Sequence, residues 1–212
     1  MLFRSGSGRW AAGVAPRVGS LHCIDPAAKA LAVTKRRLGN AANVTIHHAA
    51  ADQIPLADGS QDFGYSLGVL HHIPDTAKGL RDCVAKLKPG APFLLYLYYA
   101  LDDRPAWFRT VWRASNLLRH GISRLPFNLR KGLTTGIAAA AYLPLARGAL
   151  VAEKLGAKVG SIPLSAYRHS SFYTMRTDAL DRFGTRLEHR FTRGEIAAMM
   201  ADSGPGSLRR RI

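Results

Sequence analysis

The sequence is poor in cysteine, in acidic residues and in long apolar runs. Only Cys23 and Cys83 stand among its 212 residues, too few for the disulfide framework that stabilises small secreted domains. Both lie in apolar stretches, where a buried, reduced thiol is the ordinary interpretation. Residues 1–10 lack the long apolar centre of a signal peptide. We therefore expect a cytoplasmic protein.

The longest apolar stretch is short. Residues 136–145 fall well below the roughly 20 residues that a membrane-spanning helix needs, so the sequence predicts no transmembrane segment. The composition is 47% hydrophobic and 21% charged, which is typical of a folded globular protein rather than a disordered one.

Acidic residues are scarce: 14 Asp and Glu stand against 30 Lys and Arg, for a net charge of +16. Residues 104–150 hold eight Lys or Arg and no Asp or Glu. This balance suits an anionic substrate, nucleic acid or an anionic membrane surface, and charge alone does not choose among them. Because the sequence has no RNA-binding fingerprint, zinc module or lysine-rich tract, we expect no specific nucleic-acid partner.

The first hundred residues alternate short apolar runs with helical patterns, which is typical of a parallel sheet covered by helices. The predicted strands are residues 20–24, 44–48, 62–67 and 92–99. Helices are predicted to end near Leu38, to begin at Asp75 or Thr76, and to begin at Thr192, which has capping-box spacing to Glu195.

The pattern changes after Tyr99. Helices are predicted at residues 105–119 and 127–145, and loop at residues 151–175. The predicted organisation is therefore a core of residues 1–100, a basic helical insertion of residues 101–175, and a return to the core in residues 176–212.

Five short segments stand in a fixed order: GSGRW at 6–10, CIDP at 23–26, IPLADGSQDF at 54–63, SLGVLHHI at 66–73 and LKPG at 87–90. Together they resemble the motifs of class I S-adenosylmethionine-dependent methyltransferases of the type 11 domain. The resemblance covers roughly residues 4–99, with a weaker tail at 184–204. It implies a Rossmann-like α/β sheet with flanking helices, and methyl transfer from S-adenosylmethionine to a small or medium-sized acceptor.

The resemblance also implies where the cofactor binds. Gly6 and Gly8 match the glycine-rich turn that approaches the amino-acid end of S-adenosylmethionine; a plain tight turn is the alternative. Asp25, followed by Pro26, matches the acid that holds the ribose hydroxyls at the carboxyl end of a strand. The alternative for Asp25 is a helix cap, which is compatible with the ribose role.

Adenine is held in this family by a loop after the third strand. Ala51 can offer its backbone N–H there. The acid of the family falls on Ala50, so Asp52 is a shifted replacement or a solvated loop acid. Ser66, Leu67 and Gly68 are expected to line the cofactor, because ligands of open α/β sheets bind beyond the carboxyl ends of the strands.

His71 and His72 are candidate catalytic bases, because a neutral imidazole accepts a proton near pH 7. The alternative is a pair of loop histidines that cap or pack. Adjacent residues point in different directions and no Cys, Asp or Glu stands at ligand spacing, so no metal site is predicted.

Aromatic residues and arginines alternate after the last predicted strand. Tyr99, Arg109 and Arg113 are candidate ligands of an anionic or ring-containing acceptor. The alternative is an amphipathic helix that buries its aromatics and exposes its arginines.

Both ends depart from the family pattern. Only residues 1–3 remain of the first strand, Arg4 replaces a glycine, and residues 204–212 do not read as the closing antiparallel strand pair. We therefore expect a family member that is truncated at both ends and that, as this fragment, is inactive or binds S-adenosylmethionine weakly or not at all. The alternative function is a non-catalytic basic fragment that binds an acidic partner, either nucleic acid or anionic lipid.

Overall fold

The computed structural model describes residues 2–3, 8–39 and 41–204. The chain forms two compact units: a sheet unit of residues 1–101 and 187–212, and a helical unit of residues 102–186. The sequence placed the end of the insertion at residue 175, whereas the structure keeps residues 176–186 in the helical unit.

Five parallel strands form the sheet in the order β3-β2-β1-β4-β5. The two-residue strand β1 lies in the centre, with Leu2 opposite Cys23 on one side and Tyr65 on the other. The predicted α/β class is confirmed. The prediction that residues 204–212 do not form the closing strand pair is not tested, because residues beyond 204 lie outside the described residues. The strands are β1 Leu2–Phe3, β2 Leu21–Asp25, β3 Val44–His48, β4 Gly64–Leu67 and β5 Phe93–Tyr96.

The helices of both units are α1 Arg9–Val14, α2 Ala28–Leu38, α3 Thr76–Ala85, α4 Ala106–Ile122, α5 Phe127–Ile137, α6 Leu143–Lys154, α7 Phe172–Gly184 and α8 Arg193–Asp202. Two of the predicted caps are present. The carboxylate of Asp75 accepts from the backbone of Lys78 at the start of α3, and Thr192 and Glu195 form a complete capping box on α8.

Helices cover both faces of the sheet. Cys23 of β2 packs with Ala11 of α1 in one buried cluster, whereas its neighbour Ile24 packs with Leu80 of α3 in another. Successive side chains of a strand point to opposite faces, so β2 contributes to two cores. The sheet unit therefore has three layers, helix–sheet–helix.

The helical unit has a core of its own. Ala138, Tyr142 and Ala146 pack against Met175 and Ala179 of α7. Helix α7 was not predicted: the sequence was read as loop to residue 175, and no helix was assigned before Thr192. Ser171 caps its first turn by accepting from the backbone of Thr174.

A π-helical turn at Ala138–Tyr142 joins α5 to α6, so residues Phe127–Lys154 form one helix of 28 residues. It extends nine residues beyond the predicted end at 145. By length and composition alone this helix can cross a membrane, with a mean hydropathy of 1.3 over 18 residues. The predicted apolar stretch of residues 136–145 is thus part of a longer helix, and the prediction of no transmembrane segment stays a prediction. Only 22% of that window is buried.

Candidate functional site

The sheet places most of the predicted cofactor residues along one edge. Because the strands are parallel, their carboxyl ends meet there. Asp25 ends β2, and Ala51 and Asp52 follow β3. Ser66 and Leu67 end β4, and Gly68 comes next. Gly6 lies outside the described residues.

Gly8 lies between β1 and α1 in a left-handed conformation, with φ 70°. A Cβ at this position would meet the Cα of Thr34 in α2 at 3.0 Å. Glycine is therefore required twice, by the backbone angle and by the close approach of α2. This is a folding requirement, which supports the tight-turn alternative without excluding a ligand.

Asp25 is 1% exposed at the end of β2. One oxygen of its carboxylate accepts a hydrogen bond of 2.8 Å from the backbone N–H of Ala27, at the entry to α2. The cap alternative is wrong, because the N-cap position of α2 is Ala27 and no side-chain hydrogen bond caps the helix. Pro26 lies in the same turn, where its carbonyl pairs with Nε2 of His48 at 2.8 Å. These contacts hold the acid in place at the sheet edge.

The loop after β3 folds as a short 3-10 turn, Ala51–Gln53. Ala51 is buried against the α3 side of the core, whereas Asp52 is exposed. Asp52 lies close enough to Lys78 to raise the pKa of that amine, although Asp82 raises it more.

Ser66 and Gly68 end β4 differently. Ser66 is fully buried, and its hydroxyl has no hydrogen-bond partner among the described residues. Gly68 has φ 74°, and its N–H donates to the carbonyl of Tyr96 in β5 at 3.1 Å. Leu67 between them is half-buried. A buried, unpaired hydroxyl at this edge fits a polar ligand.

His71 and His72 form a 3-10 turn after β4, and both are fixed by the segment that returns to the sheet unit. His71 is fully buried and its ring stacks on Tyr98 with ring centroids 3.8 Å apart. Its backbone carbonyl accepts a hydrogen bond from the backbone N–H of His189. Nδ1 of His72 lies 2.8 Å from the carbonyl of Leu187. Since a carbonyl only accepts, Nδ1 must donate. Neutral His72 therefore carries its lone pair on Nε2.

Arg190 and Glu188 lie in the tail at 184–204 that weakly resembles the family, but sequence reasoning predicted no functional role for either residue. The guanidinium of Arg190 lies over the ring of Tyr98 at 5.1 Å, donates to the carbonyl of Tyr99 and pairs with the buried Glu188 at 2.9 Å. About 90 positions separate these two residues from Tyr99. Together with His71 they form a polar and aromatic cluster beside the end of β5.

The candidate acceptor ligands lie in different units. Tyr99 lies in the sheet unit, where it bridges to Phe191. Arg109 and Arg113 are exposed on α4 of the helical unit. Among the described residues, no group of three His, Cys, Asp or Glu side chains is placed to hold a metal ion.

The sequence model of a family described as a methyltransferase domain matches residues 4–95. This segment contains β2, β3, β4 and nearly all of β5. It also contains every residue that was predicted to bind the cofactor. Residues 4–95 are therefore similar to a methyltransferase domain. No curated protein matches the sequence.

Solved structures similar to this chain include YcgJ from Bacillus subtilis, with 24% identity over 57% of this chain and 51% of that one, and a TM-score of 0.48. A methyltransferase from Mesorhizobium loti has 25% identity, covers 50% of this chain and 49% of that one, and has a TM-score of 0.44. A possible histamine N-methyltransferase from Thermotoga maritima covers 96% of this chain and 61% of that one at 12% identity, with a TM-score of 0.49. The chain spans about half the length of YcgJ.

Proposed function

We propose that this chain is an S-adenosylmethionine-dependent methyltransferase acting on a small or medium-sized acceptor. The observation that carries the proposal is the methyltransferase domain match over residues 4–95, with Asp25 fixed at the carboxyl end of β2. The match does not favour the alternative of a non-catalytic basic fragment.

The residues of the sheet edge are proposed to hold the cofactor. Asp25 accepts from the ribose hydroxyls, with Pro26 shaping its turn, and Ala51 and Asp52 bind the adenine. Ser66, Leu67 and Gly68 line the space beyond β4, where the buried hydroxyl of Ser66 offers a hydrogen bond. Gly6 and Gly8 form the turn beside the amino-acid end. S-adenosylmethionine supplies a methyl group bonded to a positively charged sulfur, which keeps the electron pair of the broken bond.

The acceptor is proposed to lie toward the polar and aromatic cluster. Of the two candidate bases, His72 suits proton acceptance better, because its Nε2 carries the lone pair. His71, stacked on Tyr98, is proposed to position that turn. Tyr99, in the sheet unit, would pack against the acceptor.

The proposal is tested with S-adenosylmethionine that carries tritium in its methyl group. The protein is incubated with fractions of a small-molecule extract, and candidate acceptors are identified by mass spectrometry of molecules that co-purify with the protein. We expect tritium in one class of extracted compound, and S-adenosylhomocysteine in equal amount. Transfer no greater than with heat-inactivated protein, across all fractions, would contradict the proposal.

A further inference from the structure

Large apolar side chains are exposed mainly in the helical unit. Among the described residues, sixteen large hydrophobic side chains are exposed; twelve lie in residues 102–186 and four in the sheet unit. Monomeric soluble proteins rarely leave such side chains grouped on one element unless the surface has a partner. Helix α4 carries four of the twelve: Trp107, Val111, Leu117 and Leu118.

Helix α4 has three faces. Its inner face packs on the core of the helical unit, where Arg119 is buried and donates to the carbonyls of Thr185 and Arg186. Trp112, about two helical turns before Arg119, lies under the guanidinium of Arg182 of α7. This inner face already has its partners, so any further partner must approach the other two.

The second face is an outer apolar stripe. Trp107, Val111 and Leu118 are spaced four and seven residues apart, which places them in line on one side of a helix. They are 52%, 56% and 60% exposed, and Leu117 beside them is 76% exposed. The stripe runs along most of a helix that is about 25 Å long.

The third face is basic. Arg109, Arg113 and His120 have the same spacing, four and seven residues, and all three are exposed. The charge extends beyond α4, since residues 102–186 hold 14 Lys and Arg against five Asp and Glu. The basic stripe lies on the side of α4 roughly opposite the apolar stripe, and a charged face opposite an apolar face is the pattern of helices that lie in the interface of anionic membranes.

We propose that α4 docks the protein on an anionic phospholipid bilayer, with the outer apolar stripe among the acyl chains and the basic stripe at the headgroups. The net charge of the helical unit favours an anionic bilayer over a second copy of the chain, because two helical units of net charge +9 repel each other. The apolar stripe favours a bilayer over nucleic acid, because the phosphates and base edges of nucleic acid would offer Val111 and Leu118 no apolar partner.

The test is co-sedimentation of the full chain with vesicles, which needs neither cofactor nor activity and therefore stands apart from the proposed function. Vesicles of phosphatidylglycerol and phosphatidylcholine at 30:70 are compared with phosphatidylcholine alone, at low and high salt. We expect at least about tenfold stronger partitioning onto the anionic vesicles, weakened by salt.

Val111→Glu with Leu118→Glu changes the stripe at two exposed positions, so the fold is kept, which circular dichroism checks. We expect this variant to lose at least about tenfold in partitioning. The matched control is Leu94→Glu with Tyr173→Glu, at exposed positions of β5 and α7 outside the long apolar helix and with the same change in charge; it should stay within about threefold of the unchanged protein.

Three results would overturn the proposal. Equal losses in the two variants would show that net charge alone decides. Equal binding to neutral and anionic vesicles would remove the role of the basic stripe. Absence of vesicle binding, with light scattering showing a dimer that Val111→Glu with Leu118→Glu dissolves, would assign the stripe to a second copy of the chain.

Discussion

Nδ1 of His72 lies 2.8 Å from the carbonyl oxygen of Leu187, a residue 115 positions away in the sequence. The bond joins the turn after β4 to the segment that returns from the helical unit, and it fixes the imidazole as the Nδ1–H tautomer. We expect nitrogen NMR of the labelled protein to show that the neutral ring of His72 carries its proton on Nδ1 and its lone pair on Nε2. A protonated Nε2 beside an unprotonated Nδ1 would remove His72 as the candidate base.

Gly8→Ala tests the turn between β1 and α1. The new methyl group would clash with Thr34, and alanine disfavours the left-handed backbone conformation of this position. We therefore expect a loss of about 2 kcal/mol in the free energy of unfolding. Gly13→Ala is the matched control, because it lies in the same α1 helix with nothing within 4 Å of its added Cβ. It should be neutral or stabilise by up to about 1 kcal/mol. Urea denaturation compares the two, and equal effects would contradict the packing of α2 against Gly8.

The two thiols should be inert in the folded protein. Burial raises the pKa of Cys23 to about 11 and that of Cys83 to about 12, so both are protonated at pH 7 and the reactive thiolate is scarce. We expect iodoacetamide to label both cysteines only in denaturant, as followed by mass spectrometry. Fast labelling of either thiol in the folded protein would show that its β2 or α3 environment is open.

His22 of β2 and His47 of β3 share a hydrogen bond of 3.0 Å, which requires at least one neutral ring. Burial lowers the pKa of both below 6.5, and the neighbouring His47 lowers that of His22 further. The unfolded chain therefore takes up protons first as the pH falls. We expect full stability from this pair above pH 6.5 and a progressive loss below it. The measurement is the free energy of unfolding from pH 5 to 8, in which His22→Gln with His47→Gln should flatten the slope; an unchanged slope would assign it to other groups.

Local patterns predicted the sheet unit well. Residues 44–48 form β3 as predicted. Asp75 and Thr192 cap α3 and α8, also as predicted. Motif spacing placed Asp25 at the end of β2, where the structure has it. These features depend on neighbours within a few residues, and the sequence shows such neighbours directly.

Features that depend on distant partners could not be predicted. Helix α7 buries Met175, Ala179 and Phe183 against the long helix before it, but its exposed turns carry mixed charges that weaken the apolar periodicity. The cluster of Arg190 and Tyr98 joins segments about 90 residues apart, and neither residue belongs to a local motif. Such contacts depend on the path by which the chain returns to the sheet. A short stretch of sequence does not contain that information.

The central claim is that Asp25 holds the ribose of S-adenosylmethionine, and the affinity for S-adenosylhomocysteine tests it most directly. Isothermal titration compares the protein with Asp25→Ala and with a control, Asp62→Ala, whose carboxylate is exposed and pairs with Lys88. A charged hydrogen bond contributes about 1.5 to 3 kcal/mol, so Asp25→Ala should weaken binding about tenfold to a hundredfold while Asp62→Ala stays within about twofold. Equal dissociation constants for Asp25→Ala and the unchanged protein, with the fold intact, would contradict the account and leave Asp25 only as the residue that fixes the entry to α2.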